Sequence, residues 1–543
     1  MSKPLSLVFL AVLFTSSAFG QPADSPQTAC EQLKDMALPS AKVTSARAVE
    51  AGAFTPPAAN AGPGQGPSYK DVPAFCRVTI DAKPTADSDI KIDVWMPASG
   101  WNGRFRGQGN GGFAGTIDYP GLAAALKLGY AAAGTDTGHA GSAVDAAWAL
   151  GHPEKVIDFG YRGIHEMTRQ AKLVMTAFYG RHTQRAYFAS CSDGGREALM
   201  EAQRFPEDYD GILAGAPANY WTHLLTAAMW DVQALTQEPG SYIPASKVPA
   251  ISAAVLAACD AQDGLADGIL NDPRQCHFDP ATLACQGAES DRCLTAPEVT
   301  ALKKIYAGPT GSAGHQIFPG LAPGGEEGPG GWGLWVFGPA PGRSLITLFG
   351  EGYFSGMVYE KADWDPKAFS VDDAVKLADA KTAGALNSTD PNLQPFEARG
   401  GKLILYHGWS DAAIAPVNTI DYYHSVVAKM GRPAVDSFMR LYMVPGMQHC
   451  GGGPGPNSFG QFGGMTPTDP EHNAYMALEQ WVEKGSAPSK IIATKYVDDS
   501  AAKGVKITRP LCPYPEVAKY RGSGDANSAA NFVCSPAVSR GGR

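Results

Sequence analysis

No apolar stretch in the 543-residue chain reaches the about 20 residues that a helix needs to span a bilayer, so a membrane protein is not expected. No run of lysines and arginines interrupts a mildly acidic composition of 44 basic and 53 acidic residues, formal net charge −9. Nothing therefore draws the chain to a phosphate backbone or an anionic surface, and neither nucleic acid nor membrane is expected as a partner. There is no CxxC pair and no nearby histidine cluster, which argues against zinc as the use of the ten cysteines. Internal repeats and low-complexity tracts are also lacking. Charged residues make up only 18% against 44% hydrophobic, ordinary for a globular protein with a sizeable core. Glycine and proline are abundant instead, at 63 and 42, and point to many turns and long ordered loops.

The first twenty residues, MSKPLSLVFLAVLFTSSAFG, place Lys3 ahead of an apolar run from Leu5 to Phe14 and a small-residue site at Ala18-Phe19-Gly20. That is the layout of a cleaved secretory signal, so residues 1–20 are expected to be a leader and the protein secreted or periplasmic. Ten cysteines follow: Cys30, Cys76, Cys191, Cys259, Cys276, Cys285, Cys293, Cys450, Cys512 and Cys534. An even number in an exported chain reads as up to five disulfides, but counting does not pair them.

Two alternating segments, FCRVTIDA and DIKIDVWMP, read as half-exposed antiparallel strands after a turn-rich loop. From GRFRGQGNGGFAG onward, apolar strands, glycine-rich turns and amphipathic helices succeed one another. In GYRGIHEMTRQAKLVMTAFYG, Ile164, Met167, Ala171, Met175 and Phe178 recur every three or four residues and give a helix with one apolar face. RAYFAS, YDGILAGAP and GKLILYHG read as strands of a parallel sheet covered on both faces. The alternation stops over residues 219–397 and then resumes. The expected fold is α/β: one sheet domain, residues 21–218 and 398–543, interrupted by a large inserted lid domain.

The strand RAYFAS runs into SCSDGG and then the helical REALMEAQRF, the strand-turn-helix context in which an α/β hydrolase exposes its nucleophile. The usual elbow is G-x-S-x-G. Here Ser190 stands where the first glycine belongs, which makes Ser192 the candidate nucleophile. The chain order for this fold is Ser, Asp, His, and Asp411 and His449 each follow a strand at the carboxyl edge of the expected sheet. Taken singly, Asp411 reads equally as a turn residue and His449 as a loop histidine. His139 precedes the nucleophile and His407 lies close to the acid, so chain order favours His449. If Ser192 and His449 lie within hydrogen-bond reach, Cys191 and Cys450 are only a few ångströms apart, and a disulfide between them can clamp the two loops. The N–H of Asp193, next after the nucleophile, is the first expected oxyanion donor.

CSDGGRE, YHGWSD and VPGMQHC, together with WNGRF, QRFPEDYDGILAGAP and TRPLCPYP, resemble the tannase and feruloyl esterase family, whose site has a CS-D-HC arrangement. The resemblance implies an α/β-hydrolase fold with Ser192, Asp411 and His449 as triad and Gly112, in GQGNGG, as the second oxyanion donor. It also implies the bridges Cys191–Cys450, Cys30–Cys76, Cys259–Cys276, Cys285–Cys293 and Cys512–Cys534.

The segment CDAQDGLADGIL puts Asp260, Asp263 and Asp267 within eight residues, the hard oxygen chemistry calcium prefers, though composition alone suits a solvated acidic turn better. The resemblance implies one structural calcium held by Asp260, Asp263 and Asp267 and the carbonyls of Leu265 and Ile269. Within the insertion, Trp332, Trp335, Phe337, Tyr353 and Phe354 are candidates for an aromatic platform, although such residues are more often core. Arg343 is the candidate partner for a substrate carboxylate. The expected activity is a serine carboxylesterase acting on esters of aromatic phenolic acids, free or attached to plant polysaccharide. Feruloyl esters lead, followed by gallate esters and terephthalate monoesters, the last because the family also contains a hydrolase of such monoesters. A non-catalytic module binding phenolics or polysaccharide is the alternative of another class, and a metallohydrolase a weaker one.

Overall fold

The alternating and apolar runs become the strands of one ten-stranded sheet in the computed structural model, which describes Met1 and residues 26–57, 68–463 and 467–536. The leader expected over residues 1–20 lies, Met1 apart, outside the described residues. The strands are β1 Ala37–Leu38, β2 Ala41–Val49, β3 Phe75–Ala82, β4 Ile90–Pro97, β5 Arg104–Gln108, β6 Ala131–Thr135, β7 Arg185–Cys191, β8 Gly211–Gly215, β9 Lys402–Gly408 and β10 Met439–Val444. Across the sheet they run β1-β2-β3-β4-β6-β5-β7-β8-β9-β10. The pairs from β1 to β6 are antiparallel, and β6, β5, β7, β8, β9 and β10 are mutually parallel. The parallel strands other than β5, whose sequence is RFRGQ, are nearly continuous apolar or small-residue runs because helices cover both faces.

The expected helix forms over Gly163–Tyr179 and ends at Gly180, whose φ of 66° supplies the left-handed cap. Its residues Ile164, Met167, Ala171 and Met175 pack with Val78, Ile80, Ile92, Val94 and Phe105 of the sheet. β3 and β4 were expected to be half exposed, and this is corrected: both are almost wholly buried. Their second face lies under Phe54 and Tyr69, which join Phe75, Trp95 and Tyr119 in a second apolar cluster. Polar positions that alternation assigns to solvent are satisfied internally. Arg77 pairs with Asp93 at 2.6 Å, and Trp95 Nε1 donates to the same carboxylate at 2.9 Å.

The insertion expected over residues 219–397 falls between β8 and β9. Its helices Trp221–Thr236, Ala296–Ala307, Leu345–Tyr353 and Val371–Leu386 share one apolar cluster. That cluster also takes in Phe113, Phe159, Ala412 and Ile414 from the segments after β5, β6 and β9, so the insertion packs against the edge at which the strands end. Two antiparallel strand pairs near the carboxyl terminus, Ile491–Tyr496 with Val505–Leu511 and Glu516–Tyr520 with Phe532–Pro536, were not anticipated. No helix among the described residues is long and apolar enough to cross a membrane.

Candidate active site

Parallel register brings the candidate residues together. Cys191 pairs with Gly215, Gly215 with Tyr406 and Tyr406 with Tyr442, a single row across β7, β8, β9 and β10. Ser192, Asp411 and His449 all follow this row in their own segments and so leave the sheet at one edge.

Ser192 has φ 68° and ψ −124°, a left-handed conformation that an L-residue holds at a cost of about 1–3 kcal/mol. Its N–H donates to the Gly215 carbonyl at 3.0 Å, and its carbonyl accepts from Ala218 N–H at 3.1 Å. The turn is too tight for side chains at the next two positions. A Cβ on Gly194 would collide with Ser190 Oγ and lie 2.7 Å from the Asn110 carbonyl, and one on Gly195 would collide with the Gly215 carbonyl. Ser190 replaces the usual first glycine because its neighbours lack side chains. A Cβ on Gly109 would come within 2.8 Å of Ser190 Cβ, so glycines at 109 and 194 leave the room the serine occupies.

His449 Nδ1 lies 2.8 Å from Asp411 Oδ2, and its Nε2 lies 2.9 Å from Ser192 Oγ. The carboxylate only accepts, so Nδ1 carries the proton and Nε2 is left to accept from the serine hydroxyl. Asp411 is itself heavily bonded: Oδ1 accepts from the N–H groups of Ala413 and Ile414 at 2.8 and 2.9 Å, and Oδ2 also accepts from His407 Nε2 at 3.1 Å. Burial alone would raise its pKa, but His449 and the hydrogen bond from His407 outweigh that and hold the carboxyl well below the usual range.

The two rival histidines have other places. His407 is fully buried behind the acid and bonds Thr419 Oγ1 at 2.7 Å through Nδ1. His139 stacks on Trp148 at 3.7 Å and bonds the Phe113 carbonyl at 2.7 Å, and burial lowers its pKa to about 4. It thereby braces the glycine-rich loop next to Gly112.

Gly112, at φ 59°, and Asp193 both line the pocket around Ser192, and neither N–H has a hydrogen-bond partner among the described residues. A Cβ on Gly112 would collide with the Ala143 carbonyl. The Asp193 side chain turns away from the pocket to Arg196, 2.5 Å distant, whose guanidinium lies over Phe159 and Trp221. The pocket walls come from Trp221, Leu224, Leu225 and Ala228 on one helix and from Trp335, Ile346 and Phe349 facing them. Apart from Ser192, Asp193 and His449, every lining side chain is apolar. Of the aromatic candidates in the insertion, only Trp335 reaches the site, with its ring 5.0 Å from that of His449. Trp332, Phe337, Tyr353 and Phe354 are buried in the core of the insertion. Arg343 is exposed and is not among the lining residues. Sequence reading missed the helix Trp221–Thr236 as a wall, because its apolar pattern is also what a core helix shows.

All ten cysteines are paired, as Cys191–Cys450, Cys30–Cys76, Cys259–Cys276, Cys285–Cys293 and Cys512–Cys534. Cys191 and Cys450 have Cα atoms 6.0 Å apart and join the nucleophile and base loops directly.

In the acidic loop, Asp260 accepts from Gly268 N–H, Asp263 from Leu265 and Asn271 N–H, and Asp267 from Ile269 N–H. Burial, together with the charges of Asp267 and Asp260, raises the Asp263 pKa. Arg509 meets Asp267 at 2.8 Å, and the loop holds more carboxylates than cations. Among the described residues, the ligand-type side chains whose ligand atoms all lie within 4.8 Å of one another are His165, Glu201 and Asp208, not the three aspartates of this loop, and His165 is already bonded to Asp208 at 2.6 Å.

The family model described as tannase and feruloyl esterase matches residues 76–535. The chain is 42% identical over 535 residues to an uncharacterized esterase of Xanthomonas campestris pv. campestris, covering 94% of this chain and 92% of that protein. It is 36% identical over 582 residues to mono(2-hydroxyethyl) terephthalate hydrolase of Piscinibacter sakaiensis, again covering 94% and 92%. The crystal structure of feruloyl esterase B from Aspergillus oryzae superposes with a TM-score of 0.85 at 29% identity, covering 94% of this chain and 100% of that one. The fold is that of the α/β-hydrolase esterases.

Proposed function

The chain belongs to the tannase and feruloyl esterase family, and from that premise we propose that it is a serine carboxylesterase hydrolysing esters of phenolic acids. The observation that carries this reading is the unbroken line from Ser192 Oγ through His449 to Asp411, at 2.9 and 2.8 Å, beneath a pocket lined by aromatic and aliphatic side chains. His449 Nε2 takes the serine proton as Oγ attacks the ester carbonyl, and Asp411 stabilises the imidazolium that forms. The N–H groups of Asp193 and Gly112 hold the oxyanion. His449 then protonates the departing alcohol, and water, activated by the same histidine, releases the acid.

An apolar acyl pocket without a cationic side chain favours an uncharged ring. Feruloyl esters therefore rank first, gallate esters second and terephthalate monoesters third, and the alcohol half can be small or attached to plant polysaccharide. The acidic loop is read as a structural calcium site, held by Asp260, Asp263, Asp267 and the carbonyls of Leu265 and Ile269. The ion would neutralise the charge left over there and tie the insertion to the carboxyl-terminal strands. Five disulfides support a secreted or periplasmic setting.

Purified protein assayed on methyl ferulate, methyl gallate and mono(2-hydroxyethyl) terephthalate should turn over the ferulate fastest. Ser192→Ala should lower that rate by about 10⁴-fold or more with unchanged thermal unfolding. Absence of turnover on all three would overturn the substrate class, whereas turnover unaffected by Ser192→Ala would overturn the triad.

A further inference from the structure

Asp231 is a buried acid that the mechanism does not use. Asp231 lies on the helix Trp221–Thr236, which begins beside the nucleophile and whose residues Trp221, Leu224 and Ala228 line the pocket over Ser192. Positions 224, 228 and 231 are four and three residues apart, so they share one face, with Asp231 about 10 Å farther along the axis than Leu224. Asp231 lines a small cavity together with Leu224, Ala228, Ile346 and Ala413, and these four residues also line the pocket over Ser192. The two spaces thus adjoin along these four residues. The cavity's free volume is about 20 Å³, room for one water-sized group, and its other side chains are apolar.

Asp231 is 7% exposed, and among the described residues nothing hydrogen-bonds to or pairs with its carboxyl. Burial, unopposed by any cation, pushes its pKa well above the usual carboxylate range. An unpartnered buried carboxyl in an apolar wall is destabilising, and apolar residues of similar size would avoid that cost. Its presence in a cavity that shares walls with the binding pocket is accounted for by a partner that arrives with the substrate.

We propose that Asp231 is the recognition group for a phenolic hydroxyl on the acyl half of the substrate. The ring lies along Leu224 and Ala228, facing Ile346, and its 4-hydroxyl enters the small cavity and bonds the Asp231 carboxyl. This rests on the phenolic-acid reading above and sharpens it. A cinnamoyl acid carries its 4-hydroxyl two bonds farther from the ester carbonyl than a benzoyl acid does, which suits a group two helical turns beyond Leu224. A carboxylate in the same place would meet another carboxyl with no cation between them, which counts against terephthalate monoesters.

The test compares kcat/KM for methyl 4-hydroxycinnamate and methyl cinnamate in the wild type, Asp231→Leu and Asp231→Asn, with thermal unfolding as the check on folding. The wild type should prefer the hydroxylated ester by about tenfold or more, Asp231→Leu should abolish the preference, and Asp231→Asn should retain part of it. Methyl 4-methoxycinnamate, whose added methyl does not fit a cavity with room for one water-sized group, should be as poor for the wild type as the unsubstituted ester, a comparison that needs no variant. Equal wild-type turnover of the three esters, or a preference that both substitutions leave unmoved, overturns the subsite alone. Wild-type turnover of no cinnamoyl ester overturns the phenolic-acid reading and the subsite with it.

Discussion

Replacing Cys191 and Cys450 together by alanine should slow catalysis more than the lost stability explains. The bridge closes a loop with a sequence separation of 259, the longest of the five, and the chain-entropy relation puts its contribution at about 5–6 kcal/mol. The same relation gives about 2.5 kcal/mol for Cys285–Cys293, whose separation is 8. The two bridges differ more sharply in position. Each half of Cys191–Cys450 is one residue from a reacting side chain, so the bridge fixes the 2.9 Å approach of His449 Nε2 to Ser192 Oγ. A misplacement of about 1 Å costs on the order of 10²-fold in rate. Alanine suits both sites because the bridge abuts the apolar cluster that contains Ala189, Met447 and Phe459, where a serine hydroxyl would lack a partner. The assay is kcat on methyl ferulate at a temperature well below either variant's unfolding transition, with Cys285→Ala/Cys293→Ala as the comparison. The clamp variant should lose about 10- to 100-fold in kcat, and the comparison variant should stay within about twofold of wild type. If the clamp variant keeps its kcat while its unfolding temperature falls, the bridge stabilises the fold without positioning the site, and the argument from proximity is refuted.

Asp411→Asn should lower kcat by about 10³- to 10⁴-fold, because one carboxylate here accepts from four N–H donors and an amide, with its single oxygen, must turn its NH₂ toward two of them. The depressed pKa of Asp411 means that its stabilisation is present above the unfolded value of about 3.9 and is lost as pH falls below it. Urea unfolding should therefore show wild type more stable than Asp411→Asn at pH 7, with the gap narrowing at pH 3. A constant gap would mean that the charge is not what stabilises. If the acidic loop holds calcium as proposed, EGTA should lower the unfolding temperature by a few degrees and leave kcat unchanged below the transition. Loss of kcat without a thermal shift would point to a catalytic metal instead.

The triad was legible because three short motifs stand in one order and each follows a strand, and parallel register turns those sequence positions into neighbours. The departure at Ser190 was legible only as a tolerated change. Its cause is Gly109, more than eighty positions away, and no local pattern connects the two. β3 and β4 read as half exposed because alternation reports polarity and cannot report that Arg77 and Asp93 satisfy each other beneath a loop. The acyl pocket was largely hidden for a related reason: Leu224, Leu225 and Ala228 face an empty space with the same residue types that would face a core. Arg343 drew attention by residue type, yet it is exposed, and the acid in the cavity adjoining the pocket, Asp231, lies in a helix that reads as apolar.

Ser192 precedes the insertion, and Asp411 and His449 follow it, while the adjacent cysteines are bonded to each other. Any peptide bond between residues 191 and 450 can therefore be cut without separating the two products. A protease acting on the exposed loops of the insertion would convert the enzyme into a two-chain form that migrates as one band until reducing agent is added. Its nucleophile and its acid–base pair would then reside on different polypeptides.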